Sequence, residues 1–364
     1  MNDKIAVKIL FKYLRKGNMS RCLRDILPKS KLNLTEREEV ADLIHDIVRW
    51  KRLYDLIIEE RGYEKTPEIY IKLNREQYNI DTDTITNRFE LKYSYSNYIA
   101  KILEDKKEWA EYLNTKPEGI LCINFNKSSI SDVTKILKKE NLPANRSVLE
   151  STIITSPIAR YSSVIKNHYA HIQDESSQLI AYITNGYGYS ILDLCAGNGG
   201  KSLAIASISR NKKKLSAYEI DNRRRINLKR RCLEYSAKVD IYDKKPDQKY
   251  DVVLVDAPCT GVGAARRNPE AKYIDSAGNY PALQYNLLKE AIKLVNKEGI
   301  VLYTVCTFTP EETVELIKKF SDDNDVEISK PSDRFSRYLT PAEVGSFTRM
   351  PHGDIFYIAA IKPK

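Results

Sequence analysis

The chain has 364 residues, enough for two or three domains with separate cores. Its 59 Lys and Arg against 49 Asp and Glu give a net charge of +10, which suits a polyanionic partner such as RNA, DNA or an anionic membrane, and equally suits ordinary surface charge. The six cysteines, Cys22, Cys122, Cys195, Cys232, Cys259 and Cys306, lack paired spacing and neighbouring histidines, which argues against zinc and a disulfide framework and for reduced thiols, most of them buried.

Charged residues (Asp3, Lys4, Lys8, Lys12) interrupt the first apolar stretch, and no small-residue cleavage site follows, unlike a secretory signal. No apolar run reaches membrane-spanning length. A soluble cytoplasmic protein without a metal site is the expectation. Residues 1–85 read as all-helical. Ile5, Ile9, Leu10, Tyr13 and Leu14 share one helical face, Gly17-Asn18 turns the chain, and Thr35-Glu-Arg-Glu38 matches a capping box before Val40, Leu43, Ile44, Ile47, Val48 and Leu53. The later turns of that helix carry Arg49, Trp50, Lys51 and Arg52. This cluster suits RNA phosphates and a stacked base, or a solvated face with Trp50 in the core.

Residues 86–170 mix both periods. Ile120–Phe125 reads as a strand, Ser131–Glu140 as a helix ended before Pro143, and Ser147–Thr155 as a strand, together a small α+β domain. Tyr93, Tyr95 and Tyr98 at its entrance fit base stacking or the cover of a core.

After His171-Ile-Gln-Asp-Glu-Ser-Ser-Gln178 the patterns alternate. Strand Ile191–Cys195 precedes helix Leu203–Ser209, and strand Leu215–Ile220 precedes helix Arg223–Tyr235. Val239–Tyr242 is a short third strand. Asp251–Asp256 precedes helix Leu283–Val295, Ile300–Thr304 precedes helix Glu311–Phe320, and Ile355–Ile361 is a last strand. This is an α/β fold, a parallel sheet covered on both faces, with ligands at the carboxyl ends of its strands. The turn Cys195-Ala-Gly-Asn-Gly-Gly-Lys201 removes Cβ atoms beside a helix start. A nucleotide-like ligand and an ordinary strand-to-helix turn both fit it. Asp193, Glu219, Asp221, Asp243 and Asp256 sit at strand ends, with Cys306 just beyond the fifth. Glu219, then Asp221, suits the ribose hydroxyls of such a ligand.

Four motifs now stand in order: Asp193-Leu-Cys-Ala-Gly-Asn-Gly-Gly-Lys-Ser202, Asp256-Ala-Pro-Cys-Thr-Gly-Val-Gly263, Arg266-Arg-Asn-Pro-Glu270 and Tyr303-Thr-Val-Cys-Thr307. They resemble the S-adenosylmethionine-binding and catalytic motifs of the RsmB and Sun-type RNA cytosine methyltransferases. The first 85 residues, best at Arg49-Trp-Lys-Arg-Leu53, resemble the NusB-like domain that precedes the catalytic part of such enzymes. With Gly353-Asp-Ile-Phe-Tyr-Ile358 the likeness covers nearly the whole chain. It implies a helical NusB-like RNA-binding domain (1–85), a small RRM-like α+β domain (86–170) and a Rossmann-like class I S-adenosylmethionine-dependent methyltransferase domain (171–364), acting as a monomer on RNA.

The chemistry of that family explains the residue types. Carbon 5 of cytosine is a poor nucleophile, and a thiolate adding to carbon 6 makes it electron-rich. The resemblance makes Cys306 that nucleophile, Cys259 the thiol that assists product release, Asp256 the contact near ring nitrogen 3, and Lys201 a group that lowers a thiol pKa or binds the base. It assigns cofactor binding to Cys195, Ala196, Gly197, Asn198, Gly199, Gly200, Lys201, Glu219, Asp221, Arg224, Asp243 and Asp256. RNA contact falls to Arg49, Lys51, Arg52, Arg266 and Arg267, the last two otherwise forming surface salt bridges. The implied product is 5-methylcytidine in ribosomal RNA, with transfer RNA as the alternative substrate and a non-catalytic RNA-binding assembly factor as the reading from another class. Three positions depart from the family pattern: Gly197-Asn198 stands where Ala-Pro is usual, Val305 where Thr is usual, and Thr313 where Asn is frequent.

Overall fold

The computed structural model describes residues 3–76, 88–329, 331 and 333–364. They form two compact units, Met1–Pro117 with Ala264–Ser276, and Glu118–Gly263 with Ala277–Lys364. Among the described residues no helix is long and apolar enough to cross a membrane.

The first unit is helical. Asp3–Lys16 buries Ala6, Ile9, Leu10 and Tyr13 along one face, and Gly17 and Asn18 make the expected turn at φ of 64° and 58°. The capping box lies two residues earlier than the Thr35–Glu38 pattern. Asn33 accepts from the Glu36 N–H at 2.9 Å, and the Glu36 carboxylate accepts from the Asn33 N–H at 2.8 Å, Asn being a stronger N-cap than Thr. That helix, Leu34–Arg49, stops at Trp50, whose φ of −109° and ψ of 14° are not helical, and Lys51–Glu60 starts anew. The basic cluster therefore straddles a break between two helices.

Segment 264–276 completes this core. The Lys272 ammonium is fully buried and donates to the carbonyls of Arg49 (2.8 Å) and Tyr93 (2.9 Å) and to Asn114 Oδ1 (2.5 Å). Its three N–H groups are thus all placed. The Tyr95 ring centroid lies 4.3 Å away and that of Trp50 5.4 Å. Tyr273 donates its hydroxyl to the Val48 carbonyl at 2.7 Å, and Glu270 accepts from the Met19 N–H at 2.7 Å. Trp50 and the buried Tyr93 and Tyr95 accordingly cover a core.

The second unit holds two sheets. In the smaller, strands β1 (Gly119–Ile123), β2 (Asn145–Arg146), β3 (Thr152–Thr155) and β4 (Ala170–Ile172) lie in the order β2-β3-β1-β4, antiparallel throughout. Helix Ile130–Lys139 falls between β1 and β2, and Ser163–Lys166 between β3 and β4, a split β-α-β arrangement. The boundary read at residue 85 moves to 117: the helices of 89–112 group with the first unit, and this sheet groups with the second.

The larger sheet positions the site. Strands β5 (Ser190–Asp193), β6 (Lys214–Tyr218), β7 (Asp240–Tyr242), β8 (Tyr250–Asp256) and β9 (Val295–Val305) are parallel, in the order β7-β6-β5-β8-β9. Ile191, Leu192 and Val252–Val255 are wholly buried, as continuous apolar strands covered on both faces must be. Helices Glu175–Asn185, Gly200–Ile208, Asn222–Glu234, Tyr280–Leu294 and Val314–Asp323 accompany the sheet. The expected last strand is present as β13 (Tyr357–Pro363), running antiparallel to β9. Three short strands that the alternation does not signal, β10 (Val326–Ser329), β11 (Leu339–Pro341) and β12 (Ser346–Thr348), extend that edge. Strand order reverses between β5 and β8, which opens a crevice at their carboxyl ends.

Candidate active site

A cavity of about 870 Å³ occupies this crevice, lined by Leu194–Asn198, Gly200, Lys201, Tyr218–Asp221 and Asp256–Cys259, with one face of helix Tyr280–Leu294 opposite. Its floor is the turn after β5. Gly197 and Gly199 take φ of 55° and 84°, and a Cβ at Gly197 would meet nothing within 4 Å, so a ligand can come up to the backbone there. Gly199 has a different reason, since a Cβ would stand 2.4 Å from Leu228 Cδ1. Gly199→Ala is expected to cost about 1–3 kcal/mol of stability through combined strain and overpacking, measured by chemical denaturation. Asn198 is fastened from outside: its side-chain oxygen accepts from Asn227 Nδ2 at 2.9 Å and its carbonyl from Arg231 at 2.6 Å. These bonds hold the turn where the family's proline would fix φ.

Glu219 is buried and shapes the turn directly. One carboxylate oxygen accepts from the Gly197 N–H at 2.8 Å and the other from the Asp221 N–H at 2.7 Å, leaving lone pairs for ligand hydroxyls. Asp221 caps helix Asn222–Glu234 by accepting from the Arg224 N–H at 2.8 Å, and that bond holds its carboxyl below the usual range. Asp221 and Arg224 both line the cavity. Asp243 is not among its lining residues. Its carboxylate accepts from Lys229 at 2.8 Å and Arg225 at 3.1 Å on the surface, because β7 ends beside a basic helix. The donor set fits a nucleoside bearing an amino-acid tail: a buried acid for hydroxyls, open backbone at Gly197 and a polar floor.

Asp193 ends β5 fully buried and accepts from Ser202 Oγ at 2.6 Å. Burial, with the nearby charge of Asp256, pushes its carboxyl up to about 7. A carboxyl with a raised native pKa binds its proton more tightly folded than unfolded, so its contribution to stability is present at acid pH and is lost as pH rises from about 4 to about 7. The difference in Tm between Asp193→Asn and the native chain should therefore shift in favour of the variant across that window. A difference flat with pH would show that Asp193 folds ionised.

The reacting groups lie one step along the crevice. Parallel pairing sets Asp256 beside Thr304, which brings Cys259 and Cys306 to the same end of β8 and β9. Their sulfurs are 3.4 Å apart, and both residues are half-buried. The contact with Cys306, then burial, then the charges of Cys306, Glu312 and Asp256 push the Cys259 thiol well above the ordinary range. Asp256 receives the Lys201 ammonium at 2.7 Å, and that ammonium lies 4.9 Å from the Phe356 ring centroid, a packing with no signal in the motifs. Cys195 also lines the cavity, and burial raises its thiol.

The basic residues assigned to RNA are placed otherwise. Arg49 and Arg266 are buried. Arg49 pairs with Asp46 and donates to the Arg266 carbonyl at 2.9 Å, while Arg266 donates to the Tyr112 hydroxyl at 2.8 Å and the Lys116 carbonyl at 2.9 Å. Both serve the core of the helical unit and are corrected to structural residues. Lys51 pairs with Asp55 at 2.6 Å, and Arg52 donates to the Tyr95 carbonyl and to Asn97. Arg267 is half-buried and is also engaged.

This sheet order, with its glycine turn and acid after the second strand, is that of a Rossmann-like α/β domain. Residues 183–362 match the family model described as 16S rRNA methyltransferase RsmB/F. The chain is 30% identical over 223 residues to the probable ribosomal RNA small subunit methyltransferase B of Bacillus subtilis, a match covering 55% of this chain and 49% of that protein. It is 28% identical over 268 residues to ribosomal RNA small subunit methyltransferase B of Vibrio vulnificus, covering 68% and 62%. The chain thus spans about half to two thirds of the length of these curated relatives. The crystal structure of PH0851 shares the fold at a TM-score of 0.80 and 20% identity, over 99% of this chain and 98% of that one.

Proposed function

We propose that the protein is an S-adenosylmethionine-dependent RNA methyltransferase that forms 5-methylcytidine in small-subunit ribosomal RNA. The observation that carries this reading is the pair of thiols 3.4 Å apart beside the Lys201–Asp256 ion pair. S-adenosylmethionine supplies a methyl group on a positively charged sulfur when bound. Glu219 would hold its ribose, and the turn 195–201 its methionine end, close to the thiols.

Cys306, as thiolate, forms the bond to carbon 6 of cytosine and pushes electron density onto carbon 5. Asp256 contacts the ring near nitrogen 3, and the Lys201 ammonium paired with it offsets the negative charge that addition develops there. After carbon 5 carries its methyl group, the proton at carbon 5 leaves to a base, the bond from Cys306 to carbon 6 breaks, and Cys259 assists this release. A target cytosine within a stem must first leave its stack.

Incubation with labelled S-adenosylmethionine and, separately, small-subunit ribosomal RNA and transfer RNA tests this. Label in 5-methylcytidine of the ribosomal RNA is expected. Label only in transfer RNA would move the substrate, and label in neither would remove the enzyme reading.

A further inference from the structure

We propose that Glu312, acting with Gln284, is the positioning residue for Cys259. The inference rests on the thiol chemistry given above and deepens it. Glu312 is fully buried, six residues beyond Cys306 in a short turn that precedes helix Val314–Asp323. Its Oε1 accepts from the hydroxyls of Thr260 (2.5 Å) and Thr309 (2.8 Å). Its Oε2 accepts from the Thr260 N–H (3.0 Å) and from the Gln284 amide (2.8 Å). The same amide nitrogen donates to the Pro258 carbonyl at 2.8 Å, so its two protons go to different acceptors.

Both neighbours of Cys259 in the chain are therefore fastened to one buried carboxylate, Thr260 directly and Pro258 through Gln284. Thr307, next to Cys306, joins through its hydroxyl at 2.8 Å from that of Thr260, and Tyr303 donates to the Glu312 carbonyl at 2.8 Å. Backbone bonds fix the two ends of the Cys259 loop, from the Ala257 N–H to the Thr304 carbonyl at 3.1 Å and from the Gly263 N–H to the Cys306 carbonyl at 3.0 Å, and the ties to Glu312 fix its middle. A neutral amide could supply some of these bonds, and burying a charge is costly. What a charge adds is a field. The Cys259 sulfur touches that of Cys306 at 3.4 Å, and the charges of Cys306, Glu312 and Asp256 add to the rise of its thiol, that of Asp256 neutralised in part by Lys201. Glu312 thus both holds the loop and keeps the Cys259 proton in place until release needs it.

Two measurements on the full chain test this. The first uses no RNA: in a Cys306→Ala background, the pH dependence of Cys259 alkylation by iodoacetamide is followed by peptide mass spectrometry. Glu312→Gln should move its midpoint to lower pH, and Thr260→Val, which removes one hydroxyl from the carboxylate, should raise the alkylation rate without a comparable shift. The second measures turnover on RNA in the Cys306-containing chain. Glu312→Gln is expected to lower kcat on the order of a hundredfold, leave the KM for S-adenosylmethionine near native, and accumulate a denaturant-stable protein–RNA adduct; Glu312→Asp should recover part of the rate. A lower kcat with no adduct and an unmoved alkylation midpoint would reduce Glu312 to a support of the fold and overturn the proposal. If the native chain transfers no methyl group to RNA, the proposed activity fails while the alkylation result still decides the role of Glu312.

Discussion

Cys306→Ala should abolish methyl transfer, lowering single-turnover rates by about 10⁴-fold or more, the scale on which removal of a covalent nucleophile acts. Three structural facts set this expectation. The sulfur lies just past the end of β9, is half-buried, and contacts a second thiol whose proton affinity is strongly raised. Cys306 is not among the lining residues of the 870 Å³ cavity, so affinity for S-adenosylmethionine, measured by calorimetry, should stay near native. Loss of chemistry with unchanged cofactor binding is the diagnostic pair. Turnover close to native in this variant would mean that another group adds to carbon 6.

Cys259→Ala should fail at the opposite stage. Addition and methylation proceed, the bond to carbon 6 does not break efficiently, and a protein–RNA adduct survives denaturing electrophoresis. Steady-state turnover should fall by about 10²–10⁴-fold, the range for a lost acid–base group. The two variants thus differ in kind, one leaving no adduct and the other trapping it. An adduct in Cys306→Ala and none in Cys259→Ala would exchange the two roles.

The fold of the catalytic part was legible because its strands are apolar on both faces and end abruptly in acids, and because glycines mark the turn after β5. That Cys259 and Cys306 act together was implied by the resemblance of their motifs, and the pairing of β8 with β9 brings them together. Other features had no local signature. Asp243 ends a strand as Glu219 does, yet Arg225 and Lys229 of the preceding helix pair with it on the surface. Arg49 and Arg266 read as surface charge because their buried partners include carbonyls and a hydroxyl far away in the chain. Glu312 looks like a solvated acid at a helix entrance; only the convergence of Thr260, Thr309 and Gln284 gives it an interior role. The strands β10 to β12 are three or four residues long, too short for a periodicity to declare itself. The capping box was displaced because two overlapping patterns compete, and Asn33 took the cap.

Segment 264–276 has a consequence for the order of synthesis. The helical unit begins at the N-terminus, yet Lys272, Tyr273 and Glu270 supply bonds inside it. A ribosome must translate well over a hundred further residues before these partners emerge, and until then the Arg49 carbonyl lacks the Lys272 and Tyr273 donors that satisfy it in the finished chain. Domains usually close in the order in which they are made. Here the helical unit, made ahead of β5 to β8 and the glycine turn, is completed only after they have been synthesised, so its maturation is tied to production of the half that carries the cavity.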